Sequence, residues 1–121
     1  MRRGALALLL PTAVTSSVTI AFISPAELLK RLGQPGFVLL DVRTPEEFAA
    51  GHIAGAQNID VEADDFAQRI ETLDPKGAYL VYCHSGRRSA MAAEQMASAG
   101  FTDIVDGGGM DALVAAGAPT Q

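Results

Sequence analysis

The chain has 121 residues, of which 49% are hydrophobic and 19% are charged, and this composition predicts one compact globular domain with no room for a second. Fourteen acidic residues against nine basic ones give a net charge of -5, which excludes a surface that broadly attracts nucleic acid or anionic membranes. The single cysteine excludes an internal disulfide and a cysteine-rich zinc site.

The first 17 residues are predicted to form an extension ahead of a domain at 18–121. Arg2 and Arg3 precede a short apolar run, as in a secretory signal, but Pro11 interrupts the run and no clear A-x-A cleavage pattern follows. We therefore expect a cytoplasmic protein, with export as the alternative if residues 1–17 act as a signal peptide. The run falls short of the roughly 18 apolar residues that a membrane span needs, so no stable span is expected.

Beyond the extension, short apolar runs alternate with capped amphipathic segments, which is the pattern of an α/β domain. Residues 18–23 predict a strand. Ser24 and Glu27 then form a capping box that opens a helix through about residue 32. The continuous apolar run at 37–42 predicts a strand covered on both faces, as central parallel strands are.

The middle of the chain repeats this alternation. Thr44 and Glu47 supply a second capping box, and Gly51 ends the short helix that follows. A brief strand is predicted to end near Ile59. Residues 64–73 carry apolar side chains at helical spacing and predict a third helix.

The last third contains the most informative junction. A buried strand is predicted at 78–82 and runs directly into Cys83, and Ser89 is predicted to be the N-cap of a helix of small residues over 90–99. The remaining predicted elements are a strand at 101–105, a glycine loop at 107–109 and a short helix at 111–116.

The loop between this strand and helix determines the predicted chemistry of Cys83. Taken alone, a cysteine at a strand end is more often an inert core thiol. Here backbone N–H groups of residues 84–89 and the positive end of the helix dipole are expected to converge on the sulfur and favour the thiolate. Gly86 lets the loop curl, while Arg87 and Arg88 supply donors for an oxyanion. We therefore predict a reactive cysteine beside an anion-binding loop.

Three segments of the chain resemble signatures of the rhodanese family. Tyr82 to Ser89 (YCHSGRRS) resembles the active-site loop of that family. Leu40 to Phe48 (LDVRTPEEF), together with Gly51 to Ile59 (GHIAGAQNI), resembles its first signature, and Gly108 to Leu113 (GGMDAL) resembles its C-terminal one. The segments occur in the family's order, and the resemblance covers about residues 18–119.

The resemblance implies a doubly wound α/β fold, with a five-stranded, largely parallel central sheet and helices on both faces. It also implies a thiosulfate sulfurtransferase in which Cys83 takes a sulfane sulfur from thiosulfate or a persulfide donor and passes it to cyanide, a thiol or a thioredoxin-like partner. No cofactor, metal or nucleic acid is implied, and a monomer is expected. The site residues implied are Cys83 as the catalytic nucleophile and, around the substrate, His84, Ser85, Gly86, Arg87, Arg88 and Ser89.

Other functions remain open at the level of sequence. Related cysteine phosphatases and arsenate reductases have five residues between cysteine and arginine, whereas position 89 here is serine. A persulfide carrier or binding module that acts only with a partner protein is the other alternative.

Residues outside the cysteine loop are predicted to act structurally. Asp41 is expected to bind the N–H groups of the next turn or to pair with Arg43, and His52 is expected to fix a turn. His84 is expected to tune substrate preference rather than to transfer protons. Leu113 stands where the family usually has an aromatic residue, and the glycine run before it is slightly compressed; both departures concern the packing of the C-terminal helix.

Overall fold

The structure, a computed structural model, describes residues 19–22, 24–32 and 34–121. The predicted extension at 1–17 lies outside these residues. Within them, five strands alternate with five helices: β1 (Thr19–Phe22), α1 (Pro25–Leu32), β2 (Phe37–Asp41), α2 (Pro45–Ala50), β3 (Gln57–Asn58), α3 (Phe66–Ile70), β4 (Ala78–Cys83), α4 (Arg87–Ser98), β5 (Asp103–Gly109) and α5 (Met110–Ala115).

The strands form one sheet in the order β1-β5-β4-β2-β3, and every neighbouring pair is parallel. Strand β3 has only two residues, so the sheet ends in a short edge on that side. Strand β4 lies at the centre, between β5 and β2. This architecture confirms the predicted α/β fold class.

Side chains of β4 alternate between two hydrophobic cores, one on each face of the sheet. Val81 and Cys83 belong to the core that α3 and α4 cover, whereas Leu80 and Tyr82 belong to the core that α1 and α5 cover. Burial of one aliphatic side chain contributes about 2 kcal/mol, so covering both faces is a large part of the stability of this strand. The continuous apolar run that precedes Cys83 is a direct consequence of this position.

Local capping signals correctly predicted where two helices begin. The N–H of Glu27 donates to the Ser24 hydroxyl at 3.2 Å ahead of α1. At α2, the Glu47 N–H donates to the Thr44 hydroxyl while the Glu47 carboxylate accepts the Thr44 N–H, which is a complete capping box. Each cap satisfies helix N–H groups that have no partner inside the helix.

The predicted start of α4 was wrong. The helix begins at Arg87 with Gly86 as its N-cap, and Ser89 lies inside the first turn with its side chain fully buried. Gly86 has a φ of 103°, a left-handed conformation that glycine adopts without strain. The chain therefore turns from the loop straight into the helix, and Arg87 and Arg88 belong to the first turn.

The bounds of other elements also differ between the prediction and the structure. The glycines at 107–109, predicted as a loop, are the end of β5, and α5 follows them directly. Glycine normally disfavours strands, so the local signal pointed to a loop. Helix α3 is only five residues long and occupies the centre of the predicted 64–73 segment. No helix in the described part of the chain is long and apolar enough to cross a bilayer.

Candidate active site

Cys83 is the last residue of the central strand, and its side chain is fully buried. The N–H of Gly86 donates to its sulfur at 2.9 Å. In open parallel sheets the carboxyl ends of the strands form the ligand-binding edge, and β4 ends there between its two neighbours. The predicted nucleophile thus lies where this fold binds ligands.

A three-residue loop of His84, Ser85 and Gly86 connects Cys83 to α4. The side chains of His84 and Ser85 are exposed, while the Gly86 peptide faces the sulfur. Helix α4 has 12 residues, and its N-terminal end, which carries partial positive charge, follows this loop immediately. The Gly86 N–H and the N-terminal end of α4 therefore both place positive partial charge near the sulfur.

The two arginines after the loop have different surroundings. The Arg88 guanidinium forms a bidentate pair with the Glu47 carboxylate, with N–O distances of 2.8 and 3.0 Å, and it lies 3.6 Å from Glu62. Arg87 is exposed and forms no ion pair with any other described residue. Of the two arginines predicted to bind an anion, Arg88 is therefore already paired with a carboxylate, whereas Arg87 has no ion pair among the described residues.

Thr44 orients the Glu47 carboxylate that pairs with Arg88. Its Oε1 accepts hydrogen bonds from the Thr44 N–H and the Thr44 hydroxyl, both at 3.1 Å. The hydrogen bond from Arg88, helped by those from Thr44, lowers the pKa of Glu47 from 4.5 to about 2. The same contact raises the pKa of Arg88 above its ordinary value. The pair is charged on both sides at any physiological pH.

The glycines at the end of β5 form one wall of the cysteine loop. Gly109 is paired with Cys83, and a Cβ added to Gly109 would lie 2.5 Å from the His84 carbonyl oxygen. Gly108 lies against Gly86, since a Cβ on Gly86 would be 3.7 Å from the Gly108 Cα. Close backbone contact with His84 therefore explains the glycine at 109, and the positive φ of 76° explains the glycine at 108.

Comparison with known proteins identifies the family of the chain. The family model of the rhodanese-like domain matches residues 24–116 of the chain. The chain belongs to the rhodanese-like domain family. The thiosulfate sulfurtransferase GlpE of Pseudomonas putida is 39% identical over 88 residues, which is 71% of this chain and 78% of that protein.

Solved structures of this family superpose on the fold described above. A rhodanese-related protein of Thermoplasma volcanium has a TM-score of 0.72 and 29% identity, over 84% of this chain and 97% of its own. A structure of an E. coli rhodanese with anions has a TM-score of 0.59 and 29% identity, over 70% of this chain and 96% of its own. These matches confirm the predicted rhodanese-like fold class.

Asp41, in the first rhodanese-like signature, makes the contacts predicted for it. Asp41 is fully buried, accepts the Arg43 N–H at 2.9 Å and forms a bidentate pair with the Arg43 guanidinium. The Tyr82 hydroxyl donates to the same carboxylate at 2.8 Å and accepts the Ile53 N–H at 2.9 Å. Burial raises the pKa of Tyr82, so this phenol stays protonated and keeps donating. The network connects β2 to β4 beneath the cysteine loop.

His52 also has the predicted structural contacts. Its Nδ1 lies 2.9 Å from the Phe48 carbonyl oxygen, and its ring stacks on that of Phe48 with centroids 3.7 Å apart. These contacts fix the chain where α2 ends. The described residues contain no group of three or more histidine, cysteine, aspartate or glutamate side chains arranged to hold a metal ion.

Two residues of the rhodanese-like site were not predicted. Glu47 was identified only as a helix cap, and its second role as the partner of Arg88 joins residues 41 positions apart. Asp106 was not singled out, yet it is buried and accepts a hydrogen bond from the equally buried Ser89. The available signal was an aspartate within the last apolar strand, immediately before the glycines.

Proposed function

We propose that this chain is a sulfurtransferase that carries a sulfane sulfur on Cys83 as a persulfide. The observation that supports this most directly is the position of Cys83, whose sulfur accepts the Gly86 N–H at the carboxyl end of the central strand. A sulfur that accepts a peptide N–H beside a helix N-terminus has the surroundings that nucleophilic cysteines commonly have. The family of the chain and its thiosulfate sulfurtransferase relatives agree with this chemistry.

The proposed first step uses thiosulfate as the donor. The Cys83 thiolate attacks the outer sulfur of thiosulfate, a new S–S bond forms, and the old S–S bond breaks. Sulfite leaves with the electron pair of that bond, and a persulfide remains on Cys83. No net oxidation by an external reagent is needed. Division of one transfer into two displacements is the advantage of covalent catalysis.

The proposed second step regenerates the thiolate. A nucleophilic acceptor, which is cyanide in an assay and a thiol or thioredoxin-like protein in the cell, attacks the outer persulfide sulfur. The bond to Cys83 breaks, and the thiolate leaves with the electron pair. His84 and Ser85 directly follow Cys83 and are exposed, so an acceptor that reaches the persulfide is proposed to contact them.

Arg87 is the cation proposed to bind the anionic donor. It precedes Arg88 in the first turn of α4 and has no ion pair within the described part of the chain. A solved structure of a related E. coli rhodanese contains anions, which agrees with anion binding in this family. The pairing of Arg88 with Glu47 counts against phosphatase chemistry, because a phosphate would have to displace a carboxylate already bound in bidentate geometry.

Intact-mass measurement tests the proposal. The purified protein is treated with thiosulfate, desalted and weighed, then treated with cyanide and weighed again, beside the Cys83→Ser variant. We expect a gain of about 32 Da on the wild type, its removal by cyanide, and no gain on the variant. Absence of the adduct from wild-type protein, together with hydrolysis of an aryl phosphate, would favour the phosphatase alternative and overturn the sulfurtransferase proposal.

A further inference from the structure

Asp106 is a buried carboxylate that neither step of the proposed transfer uses. Only 4% of the residue is exposed. Its Oδ1 accepts the Ser89 hydroxyl at 2.7 Å and the Gly108 N–H at 2.9 Å. No ion pair to Asp106 is present among the residues described here. Burial of a carboxylate costs free energy unless its oxygens accept hydrogen bonds, so the two donors offset the cost of burying Asp106.

Ser89 connects this carboxylate to the cysteine loop. Its hydroxyl oxygen is 2.7 Å from Asp106 Oδ1 and 3.0 Å from the Gly86 carbonyl oxygen, and the residue is fully buried. The single hydroxyl hydrogen thus faces two acceptors, the carboxylate and the Gly86 carbonyl, and the carboxylate is the closer one. The N–H of that same glycine donates to the Cys83 sulfur. Ser89 thus connects Asp106 to Gly86, the residue whose N–H contacts the nucleophile.

The second donor to Asp106 fixes the other wall of the loop. Val81 pairs with Asp106 and Cys83 with Gly109, so β5 contains one residue more than β4 between these pairs and forms a bulge. Gly108 lies in this bulge with a φ of 76°. Its N–H is bound by Asp106 two residues earlier, which closes the bulge. Asp106 therefore fixes the segment that packs against His84 and Gly86.

We propose that Asp106 and Ser89 are positioning residues that hold the Gly86 N–H on the Cys83 sulfur. Asp106 acts as an acceptor for two donors, one from α4 and one from the bulge of β5. Ser89 was expected from the sequence to cap the helix and contact substrate. In this proposal it acts through its contacts with Asp106 and the Gly86 carbonyl. The inference rests on the proposed sulfur transfer, but the reactivity of Cys83 can be measured without it.

The experiment compares Ser89→Ala, Asp106→Ala and Asp106→Asn with the wild type. One readout is kcat/KM with thiosulfate and cyanide. The other is the rate of Cys83 alkylation by iodoacetamide near neutral pH, divided by the rate well above the ordinary thiol pKa of about 8.5, which reports the thiolate fraction. We expect both alanine variants to lower both readouts about fivefold, the scale of one hydrogen bond. Asp106→Asn should restore them, because an amide oxygen accepts both donors.

Tyr79→Phe is the matched control. It removes a hydrogen bond of 2.7 Å to the Asp74 carbonyl at the opposite end of β4, so it weakens the fold without touching the loop. It should leave the alkylation ratio unchanged. If Asp106→Ala does not fold, Ser89→Ala and Asp106→Asn still carry the test.

The possible outcomes separate the two proposals. An unchanged alkylation ratio in folded Ser89→Ala, or an Asp106→Asn as impaired as Asp106→Ala, would overturn the positioning role. A wild type that takes no sulfur from thiosulfate but shows the expected alkylation pattern would overturn the proposed function and leave the positioning role standing.

Discussion

Arg87 and Arg88 are identical side chains at adjacent positions, and their neighbours give them different functions. Arg88 has 20% of its side chain exposed and meets a carboxylate already oriented by Thr44. A substrate anion would compete with that carboxylate for the same fork of donors. Arg87 is exposed in the first turn of α4 and has no such competitor in the described residues.

Replacement of Arg87 by alanine is therefore expected to weaken the binding of thiosulfate. The KM for thiosulfate should rise about threefold to fivefold, the size expected of an exposed charge pair, and the effect should shrink at high salt. The melting temperature should not change. Steady-state kinetics at two salt concentrations and thermal unfolding measure both quantities.

Two other variants distinguish a local role of Arg87 from a general effect of removing positive charge. Arg88→Ala should lower the melting temperature, because it leaves Glu47 without its partner. Lys76→Ala removes an exposed positive charge from the turn before β4, at the opposite end of that strand, and should leave KM unchanged. Equal rises in KM for the Arg87 and Lys76 variants would show a nonspecific charge effect and contradict a local role for Arg87.

Single residues were predictable when their roles depended on close neighbours in sequence. The place of Cys83 between an apolar strand and a helix was predicted from residues within a few positions of it, and the structure has that arrangement. The partner of Arg88 is 41 residues away, and that of Ser89 is 17 residues away, so no local pattern could assign them. Ser89 was misassigned for this reason, since serine near a helix start is commonly an N-cap.

At the scale of elements, β5 and the cysteine loop form one unit. Gly109 allows a backbone contact with His84 that a side chain would obstruct, and Gly108 lies against Gly86. The conformation of Gly109 is ordinary extended backbone, with a φ of -94°, so alanine would be tolerated there apart from the close contact. The effect of adding a Cβ at this position therefore measures the contact alone.

Gly109→Ala is expected to displace the loop and destabilise the protein by about 2 kcal/mol, because the new Cβ would meet a backbone oxygen that has little room to move. Gly107→Ala is the matched comparison. Its Cβ would lie 2.9 Å from the end of the Leu28 side chain and 3.2 Å from the Val81 carbonyl oxygen, so it approaches backbone less closely than a Cβ at Gly109 does. Chemical denaturation and sulfurtransferase assays should show the larger loss for Gly109→Ala. Equal losses would mean that the close contact with His84 is not what requires glycine.

Element types were well predicted, whereas their ends were predicted only where a local signal marked them. The capping boxes at Ser24 and Thr44 gave the starts of α1 and α2 correctly. The end of β5 was missed because glycine signals a loop locally, while pairing with β4 stabilises it as a strand. The alternation of strands and helices gave the fold class, since it leaves few arrangements other than a parallel sheet covered on both faces.

At the scale of the molecule, two charged pairs connect separate parts of the sequence near the site. Asp41 and Arg43 are buried at the end of β2 and reach β4 through the Tyr82 hydroxyl. Glu47 and Arg88 connect the start of α2 to the start of α4 and are partly exposed. The second pair connects the first sequence signature of the family to the cysteine loop, so its ionisation should influence the stability of the whole fold.

The pH dependence of folding tests this connection. The folded-state pKa of Glu47 is about 2, below its ordinary 4.5, so the carboxylate stabilises the fold fully above pH 4.5 and loses that contribution as the pH falls towards 2. Denaturant unfolding of wild type and Glu47→Gln should therefore differ most near neutral pH and converge across this window. Glu46→Gln removes a charge from the same turn without breaking an ion pair found among the described residues, and it isolates the effect of net charge. A stability difference that stays constant down to low pH would show that the Glu47–Arg88 ion pair does not connect the two helices energetically.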